Sequence, residues 1–376
     1  MSSEPPPTAA VCTRCKENPG IYTLRLDPHC SDCFSHYIRS KCIKRIESYK
    51  IRSLPNGSIP VFLLPLSLGV SSTALLQILS TALTTQRQKV SRARYTLKIV
   101  HIDESLLNAR APPAADLAAI RERFPEAGEY SVVKLEEIYS FEGEGSGEGS
   151  GEGDGEDNAA RLRQTLQSLP SPTSREDLAR VLRTRLIQRL AAQHGCAGIL
   201  WGSSTTTLAS QILTSSALGR GASLPFLTQD GVHEGVLSYH PLRDVFKKEL
   251  VTFVKDVVQP SLWGLCTAEE GRQRHSAANA ISARNITVGE LLTQYFETME
   301  VQYPSTVSNV VRMGDRLKTV GEERRCCTLC GLSVDGGGNG LTLGAEENGD
   351  EVPREMCYGC LRSTHGATVE LSWPVL

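Results

Sequence analysis

The stretch Ile59-Pro60-Val61-Phe62-Leu63-Leu64-Pro65-Leu66-Ser67-Leu68-Gly69-Val70-Ser71-Ser72 decides the fold. Its apolar first half meets a turn of small residues, and a helical pattern follows with Leu75, Leu79, Ala82 and Leu83 on one face. That order reads as a strand, a phosphate-cradling turn and a helix N-terminus. Small side chains at Ser67, Gly69, Ser71 and Ser72 let backbone N–H groups approach an anion, and the positive end of the helix dipole adds to the attraction. These four residues are the candidate nucleotide contacts.

The same grammar repeats downstream. Leu97 to Ile102 reads as a second strand ending at Asp103-Glu104, and Val132 to Leu135 as a third. Ser174-Arg175-Glu176-Asp177 resembles a capping box, with Ser174 as N-cap, opening a helix with Leu178, Val181, Leu182, Leu186 and Leu190 inside. Gly195 ends that helix, Ala197 to Trp201 makes the next buried strand, and Gly202-Ser203-Ser204-Thr205 begins another turn. Pro241-Leu242-Arg243-Asp244 precedes a helix with Asp244 as its expected N-cap, and Thr287-x-x-Glu290 caps one more. Strands alternating with helices over 56–320 predict an α/β domain, doubly wound around a mostly parallel sheet.

The ends carry cysteines in pairs. Cys12-x-x-Cys15 and Cys30-x-x-Cys33 are separated by fourteen residues, within a segment 1–55 whose Ile21 to Leu24 and Asp27-Pro28 suit a short hairpin. Cys327-x-x-Cys330 and Cys357-x-x-Cys360 are separated by 26, within 321–376, with a Gly-rich acidic stretch (Asp335 to Glu351) between them. Each Cys-x-x-Cys turn aims two thiolates at one ion, so each pair of turns completes a four-sulfur zinc site of zinc-ribbon or treble-clef type. Four thiolates leave no open position for water, which makes both zincs structural. His29, beside Cys30, is a bystander to that site; Cys42 and Cys326 fall outside the paired spacing, and Cys196 reads as a small core residue.

Composition bounds the rest. The chain has 376 residues, is 40% hydrophobic, and contains twelve cysteines. No run approaches the roughly 18 apolar residues of a membrane span. Met1 to Ala10 is polar and Pro-rich, without a secretion pattern, so the cysteines read as reduced ligands in cytosol or nucleus. Glu142 to Asp157 holds only Gly, Ser and seven acidic residues, with nothing to bury, which reads as a disordered surface insertion. After Cys33 comes a basic helical stretch in which Arg39, Lys41, Lys44 and Arg45 either contact phosphates or form an ordinary solvated face.

The turn at Ser67 is similar to the Ser-Gly-Gly-x-Asp-Ser signature of PP-loop ATP pyrophosphatases, with Leu68 in place of a Gly and Ser71 in place of the Asp. The whole order adds a cysteine module at either end, His101-Ile102-Asp103-Glu104 and Pro241-Leu242-Arg243-Asp244. It resembles the cytoplasmic tRNA 2-thiolation proteins over nearly the whole chain, and among them the second, non-catalytic subunit's family. The resemblance implies a cytoplasmic role in forming 5-methoxycarbonylmethyl-2-thiouridine at the tRNA wobble position. It further implies a heterodimer with a catalytic PP-loop subunit, and sulfur delivered as a thiocarboxylate on a ubiquitin-related modifier that the same proteins are implicated in conjugating to other proteins.

Three departures from the active members argue against catalysis by this chain alone. The PP-loop Asp is absent, which weakens magnesium and triphosphate positioning and with it ATP binding. Where active thiolases carry Gly-His-x-x-Asp-Asp, this chain has Gly202-Ser203-Ser204-Thr205-Thr206-Thr207. Where they carry cluster-holding cysteines, it has Ser171-Pro172-Thr173-Ser174, with only Cys266 to answer the later position, so no iron–sulfur cluster is expected. Two other readings stand beside this one: an active ATP-dependent thiolase whose magnesium rests on Asp103 or Glu104, and a zinc-ribbon nucleic-acid-binding protein.

Overall fold

Val61 to Pro65 becomes the central strand because its side chains find apolar cover on both sides, as a parallel strand requires. The computed structural model describes residues 10–49, 51, 57–90, 93–107, 114–143, 154–233, 235–258, 260–266, 286–317, 327–331 and 356–367. Among them, a hairpin of β1 (Tyr22–Leu24) and β2 (Asp27–His29) leads into α1 (Ser31–Ser48). Then come β3 (Val61–Pro65), α2 (Val70–Val90), β4 (Thr96–Asp103), α3 (Ala114–Arg123) and β5 (Gly128–Lys134). Helices α4 (Asp154–Ser168) and α5 (Pro172–Gln193) precede β6 (Gly198–Leu200), α6 (Thr205–Ala217) and α7 (Leu224–Thr228). Strands β7 (Gly231–His233) and β8 (Val236–Tyr239) are followed by α8 (Lys247–Thr252) and α9 (Pro260–Trp263). The chain closes with α10 (Val288–Gln302), α11 (Pro304–Arg316) and α12 (Tyr358–Thr364).

The six-stranded sheet runs β5-β4-β3-β6-β8-β7, parallel throughout except for the antiparallel edge strand β7. Strand order reverses between β3 and β6, so the topological switch point lies at the C-terminal ends of these two strands. Phe62, Leu64, Leu97 and Ile99 face a layer that contains α1, α2 and α8. Leu63, Val100 and Ile199 face the opposite layer, which contains α5 and both described pieces of the C-terminal cysteine segment. A third apolar cluster, with Leu208, Ile212, Phe296, Val307 and Val311, ties α6 to α10 and α11.

Several local expectations shift. Ser171, not Ser174, caps α5: its hydroxyl accepts the Ser174 N–H at 3.1 Å, and Pro172 takes the first turn, where a missing N–H costs nothing. Asp244 does not cap α8; Phe246 holds that position, and its N–H is accepted by Glu249 Oε2 at 2.9 Å. The box at Thr287 and Glu290 is as expected, with reciprocal bonds of 3.1 and 3.0 Å. Strand β5 starts earlier than its apolar core, at Gly128, and Leu135 opens a 3-10 turn instead of ending it. The end of the acidic insertion, 154–157, forms the first turn of α4. Residues 144–153 of that insertion, the stretch Asp335 to Glu351, and Cys326 lie outside the described residues.

Candidate functional site

At the switch point, β3 delivers Ser67 to Ser72 onto the N-terminus of α2. Leu68 adopts φ 56°, a left-handed conformation that glycine takes freely and that costs an ordinary residue about 1–2 kcal/mol. Its side chain is fully buried among Leu66, Val70 and their neighbours, so apolar burial offsets the backbone strain. The loop thus keeps a glycine-type backbone without the glycine. Ser72 Oγ donates to Gly69 O at 3.1 Å and lies 3.2 Å from Ser67 Oγ, while Thr73 N–H closes onto Gly69 O at 3.0 Å. Ser67 is exposed, Ser71 half-buried and Ser72 buried, so the four candidates share one turn but not one surface.

The neighbouring turn presses against this loop. A Cβ on Gly202 would lie 2.7 Å from Ser72 Cα, so only glycine lets the β6 turn approach α2 so closely. Three of the hydroxyls that follow are engaged in structure. Ser204 caps α6 by accepting from Thr207 N–H at 3.2 Å, Thr205 donates to Arg243 O at 2.6 Å, and Thr206 donates to the Glu300 carboxylate. None of these side chains is a general acid or base at neutral pH.

Asp103 and Glu104 are also occupied. Asp103 Oδ1 accepts the Ser105 N–H at 2.8 Å, and Glu104 is ion-paired with Arg183 on α5. The strand end nevertheless offers a residue that spacing alone did not single out. His101 is buried beneath the loop, its Nδ1 donating to Leu66 O at 2.7 Å, and its Nε2 has no partner among the described residues.

Both cysteine quartets assemble. In each, all four Sγ atoms lie within 4.8 Å of one another, with Cys15–Cys30 at 3.8 Å and Cys330–Cys357 at 3.7 Å. Sulfurs about 2.3 Å from a single zinc sit about 3.8 Å apart, so the donor set matches a mononuclear tetrahedral ion. A four-iron cubane spreads its ligands farther. The knuckles form from local geometry: Lys16 at φ 59° sends its N–H to Cys12 O, and Gly331 at φ 68° sends its own to Cys327 O. His29 turns away, its Nδ1 3.1 Å from Asp27 O.

Thiol chemistry favours a cation at each centre. At the N-terminal quartet, burial opposes a thiolate, yet bonds from the Cys15, Cys30 and Arg14 backbone outweigh it and bring Cys12 down to about 5. Burial and then its thiol neighbours push Cys33 up to about 12. The first proton leaves readily and the last does not, unless a metal supplies the compensating charge. At the C-terminal quartet, bonds from the other cysteines hold Cys327 well below the usual thiol range, and the Cys327 bond holds Cys330 well above it.

The C-terminal centre has a protein counter-charge as well. Arg220 Nη1 donates to Cys360 Sγ at 3.2 Å, while its Nη2 donates to Asp177 Oδ2 at 2.6 Å. Asp177 also accepts from Arg180 and from Ser363 Oγ, each at 2.6 Å. Burial pushes the Asp177 carboxyl up, but the Arg220 and Arg180 guanidiniums outweigh it and hold it below the ordinary range. This network joins α5, the turn after α6, and α12; no sequence spacing reveals it.

The basic residues of α1 disperse. Arg45 is ion-paired with Asp230, Arg39 stacks its guanidinium 5.9 Å from the centre of the Phe253 ring, and Lys44 is exposed. Lys41 turns toward α11, where it lines a cavity with Arg25, Arg243 and Arg312. Of the remaining cysteines, Cys42 is buried in the core, Cys196 is half-buried, and Cys266 donates to Leu262 O at 3.6 Å.

Against solved structures, the chain is similar to the U34-tRNA thiolase NcsA from Methanococcus maripaludis with its [4Fe-4S] cluster. The TM-score is 0.57 at 17% identity, covering 86% of this chain and 91% of that one, which shows a shared fold. A family model described as cytoplasmic tRNA 2-thiolation protein 2 matches residues 287–342. Cytoplasmic tRNA 2-thiolation protein 2 of Phaeosphaeria nodorum is 37% identical over 95% of each chain, and that of Pyrenophora tritici-repentis 35% identical over the same shares. With the PP-loop-type sheet and both cysteine quartets in place, the chain belongs to the cytoplasmic tRNA 2-thiolation protein 2 family.

Proposed function

We propose that this protein is the non-catalytic subunit of a cytoplasmic tRNA wobble-uridine 2-thiolation complex. It pairs with a catalytic PP-loop subunit, which activates the uridine and takes sulfur from a thiocarboxylated ubiquitin-related modifier. Family membership supports the pathway and the compartment. No helix among the described residues is long and apolar enough to cross a membrane.

One observation carries the non-catalytic reading. At the switch point the loop backbone persists, while the side chains of Gly202 to Thr207 bring only hydroxyls, and those of Ser204, Thr205, Thr206 and Thr207 are engaged in capping or core contacts. Ion pairing of Glu104 and the turn bond of Asp103 argue against magnesium binding there. Zinc at the two cysteine quartets supplies cross-linking, not chemistry, with Cys12, Cys15, Cys30 and Cys33 holding one ion and Cys327, Cys330, Cys357 and Cys360 the other. Thiolation of a tRNA transcript, assayed with each purified subunit separately and with both, tests the reading. Product is expected only from the pair; robust product from this chain alone overturns it.

A further inference from the structure

A cavity of about 110 Å³ lies where five distant segments of chain meet, Thr205 of α6 among them. Arg25 enters from the β1–β2 turn, Lys41 from α1, Arg243, Asp244 and Phe246 from the segment before α8, and Ser308, Arg312 and Asp315 from α11. Four cations face two carboxylates in a chain whose overall charge is −2. Arg243 is buried and paired with Asp315, and Arg25 also faces the buried carboxyl of Glu249. Lys41 and Arg312 have no carboxylate partner among the described residues.

Bringing like charges together from separate elements is unfavourable unless an anion comes between them. The cavity is far below the roughly 300 Å³ of a nucleotide-sized pocket. It accommodates a single oxyanion group, with the Ser308 hydroxyl as an additional donor. A cavity of that size fits one phosphate group projecting from a longer polymer.

We propose that this cavity seats a backbone phosphate of the tRNA, held by Lys41 and Arg312 at its mouth and by Arg243 at its base. The assignment rests on the reading of the chain as a tRNA thiolation subunit. It moves the RNA contact away from Arg39, Lys44 and Arg45, and onto the junction between the N-terminal cysteine module and α11.

The test measures affinity for an unmodified tRNA transcript with a wobble uridine as salt is raised, using the full chain. Each phosphate contact contributes about 0.7 to 0.9 to the slope of log affinity against log salt. The variant K41A/R312A is expected to bind more weakly, with a slope shallower by about that amount, while K89A, an exposed cation on α2, matches the wild type. Arg312→Glu, a charge reversal on an exposed side chain, weakens binding further; metal content and thermal midpoint confirm that both variants are folded. Wild-type slope and affinity in K41A/R312A, with the wild type itself binding, overturn the cavity assignment and leave the functional reading intact. Absence of tRNA binding by the wild type, alone and with the catalytic subunit, overturns both. Normal tRNA binding with loss of the catalytic subunit on co-purification assigns the cavity to a protein contact and overturns the RNA assignment.

Discussion

The two cysteine quartets have the same ligands and nearly the same spacing between sulfurs, yet they stand in opposite relations to the sheet. The N-terminal centre caps a small hairpin with exposed Val11, Ile21 and Leu26, and reaches the core through Leu24 of β1 and Phe34, Ile38, Cys42 and Ile46 of α1. The C-terminal centre lies inside the apolar layer that covers Leu63, Val100 and Ile199, and a buried arginine from the central domain contacts its sulfur directly. Two close approaches seat it: a Cβ on Gly219 would lie 2.5 Å from the Tyr358 ring, and one on Gly359 would lie 2.4 Å from Arg220 Cγ. Identical ligand chemistry therefore serves two purposes. One quartet closes an appendage, and the other completes the core.

The largest effect that separates them is removal of a ligand. Structural zinc contributes about 10–16 kcal/mol to the folding of small finger peptides. Metal analysis of the reduced wild type is expected to find two zinc ions per chain, and one in either Cys12→Ser or Cys327→Ser. Thermal unfolding then distinguishes the centres. Cys327→Ser lowers the main transition, because Leu329, Met356 and Cys360 belong to the central core, whereas Cys12→Ser melts the hairpin and leaves the main transition near its wild-type position. Equal shifts in both variants break the comparison.

Next in size is the arginine. Arg220→Met leaves Asp177 buried with Arg180 as its remaining cation and removes the counter-charge from Cys360. Stripping one partner from a buried pair costs about 3–5 kcal/mol. Urea unfolding of R220M, D177N and the double variant measures the coupling. The double variant is expected to be less destabilised than the sum of the singles.

How much of this was legible from residues follows from how local each signal is. The strand at Val61 to Pro65 and the turn after it are continuous in sequence, and Cys-x-x-Cys spacing encodes a turn that aims two sulfurs together, so both could be read directly. The α5 cap lies three residues before the Ser174 that the spacing predicts, because Ser171 and Ser174 are both good caps and only Pro172 decides between them. Strands β7 and β8, three and four residues long, are too short to show a period, although β8 is an inner strand of the sheet. The basic face of α1 was visible as a helical stripe, but a stripe does not reveal what packs on it, and Asp230 and Phe253 come from distant segments. The Asp177–Arg220–Cys360 contacts span separations of 43 and 140 residues, for which no local pattern exists.

A smaller effect comes from two buried carboxyls with opposite pH behaviour. Burial, ahead of the Phe246 N–H bond and the Arg25 and Lys248 charges that oppose it, pushes Glu249 up to about 6. Between its unfolded value near 4.5 and that folded value, the native state holds a proton that the unfolded chain has released, so stability falls as pH rises. By pH 7 the loss is about 2 kcal/mol. Asp177, held below its ordinary range, has the reverse sign. Its contribution is complete above its unfolded value of about 3.9 and disappears as pH falls through the lower, folded value. Urea unfolding of Glu249→Gln is expected to flatten the decline between pH 5 and 7 and leave the acid limb unchanged. An unaltered decline in that variant removes Glu249 as its cause.

The smallest expected effect is the most selective for the N-terminal side. Arg45 ties α1 to Asp230, but their side chains are 30% and 18% exposed, and Asp230 Oδ1 still accepts the His240 N–H at 2.8 Å when the arginine is gone. Tyr49 stays stacked on Tyr239 with ring centres 4.1 Å apart. Arg45→Ala is therefore expected to cost about 1 kcal/mol or less, and that cost shrinks in high salt, where exposed pairs are screened. Arg220 is 3% exposed at its side chain and its partner Asp177 is fully buried, so the cost of R220M does not shrink in the same buffers. The salt dependence of the two variants, measured side by side, separates the docked appendage from the embedded centre: a salt-insensitive Arg45 contribution of several kcal/mol would make the N-terminal module as integral to the core as the C-terminal one.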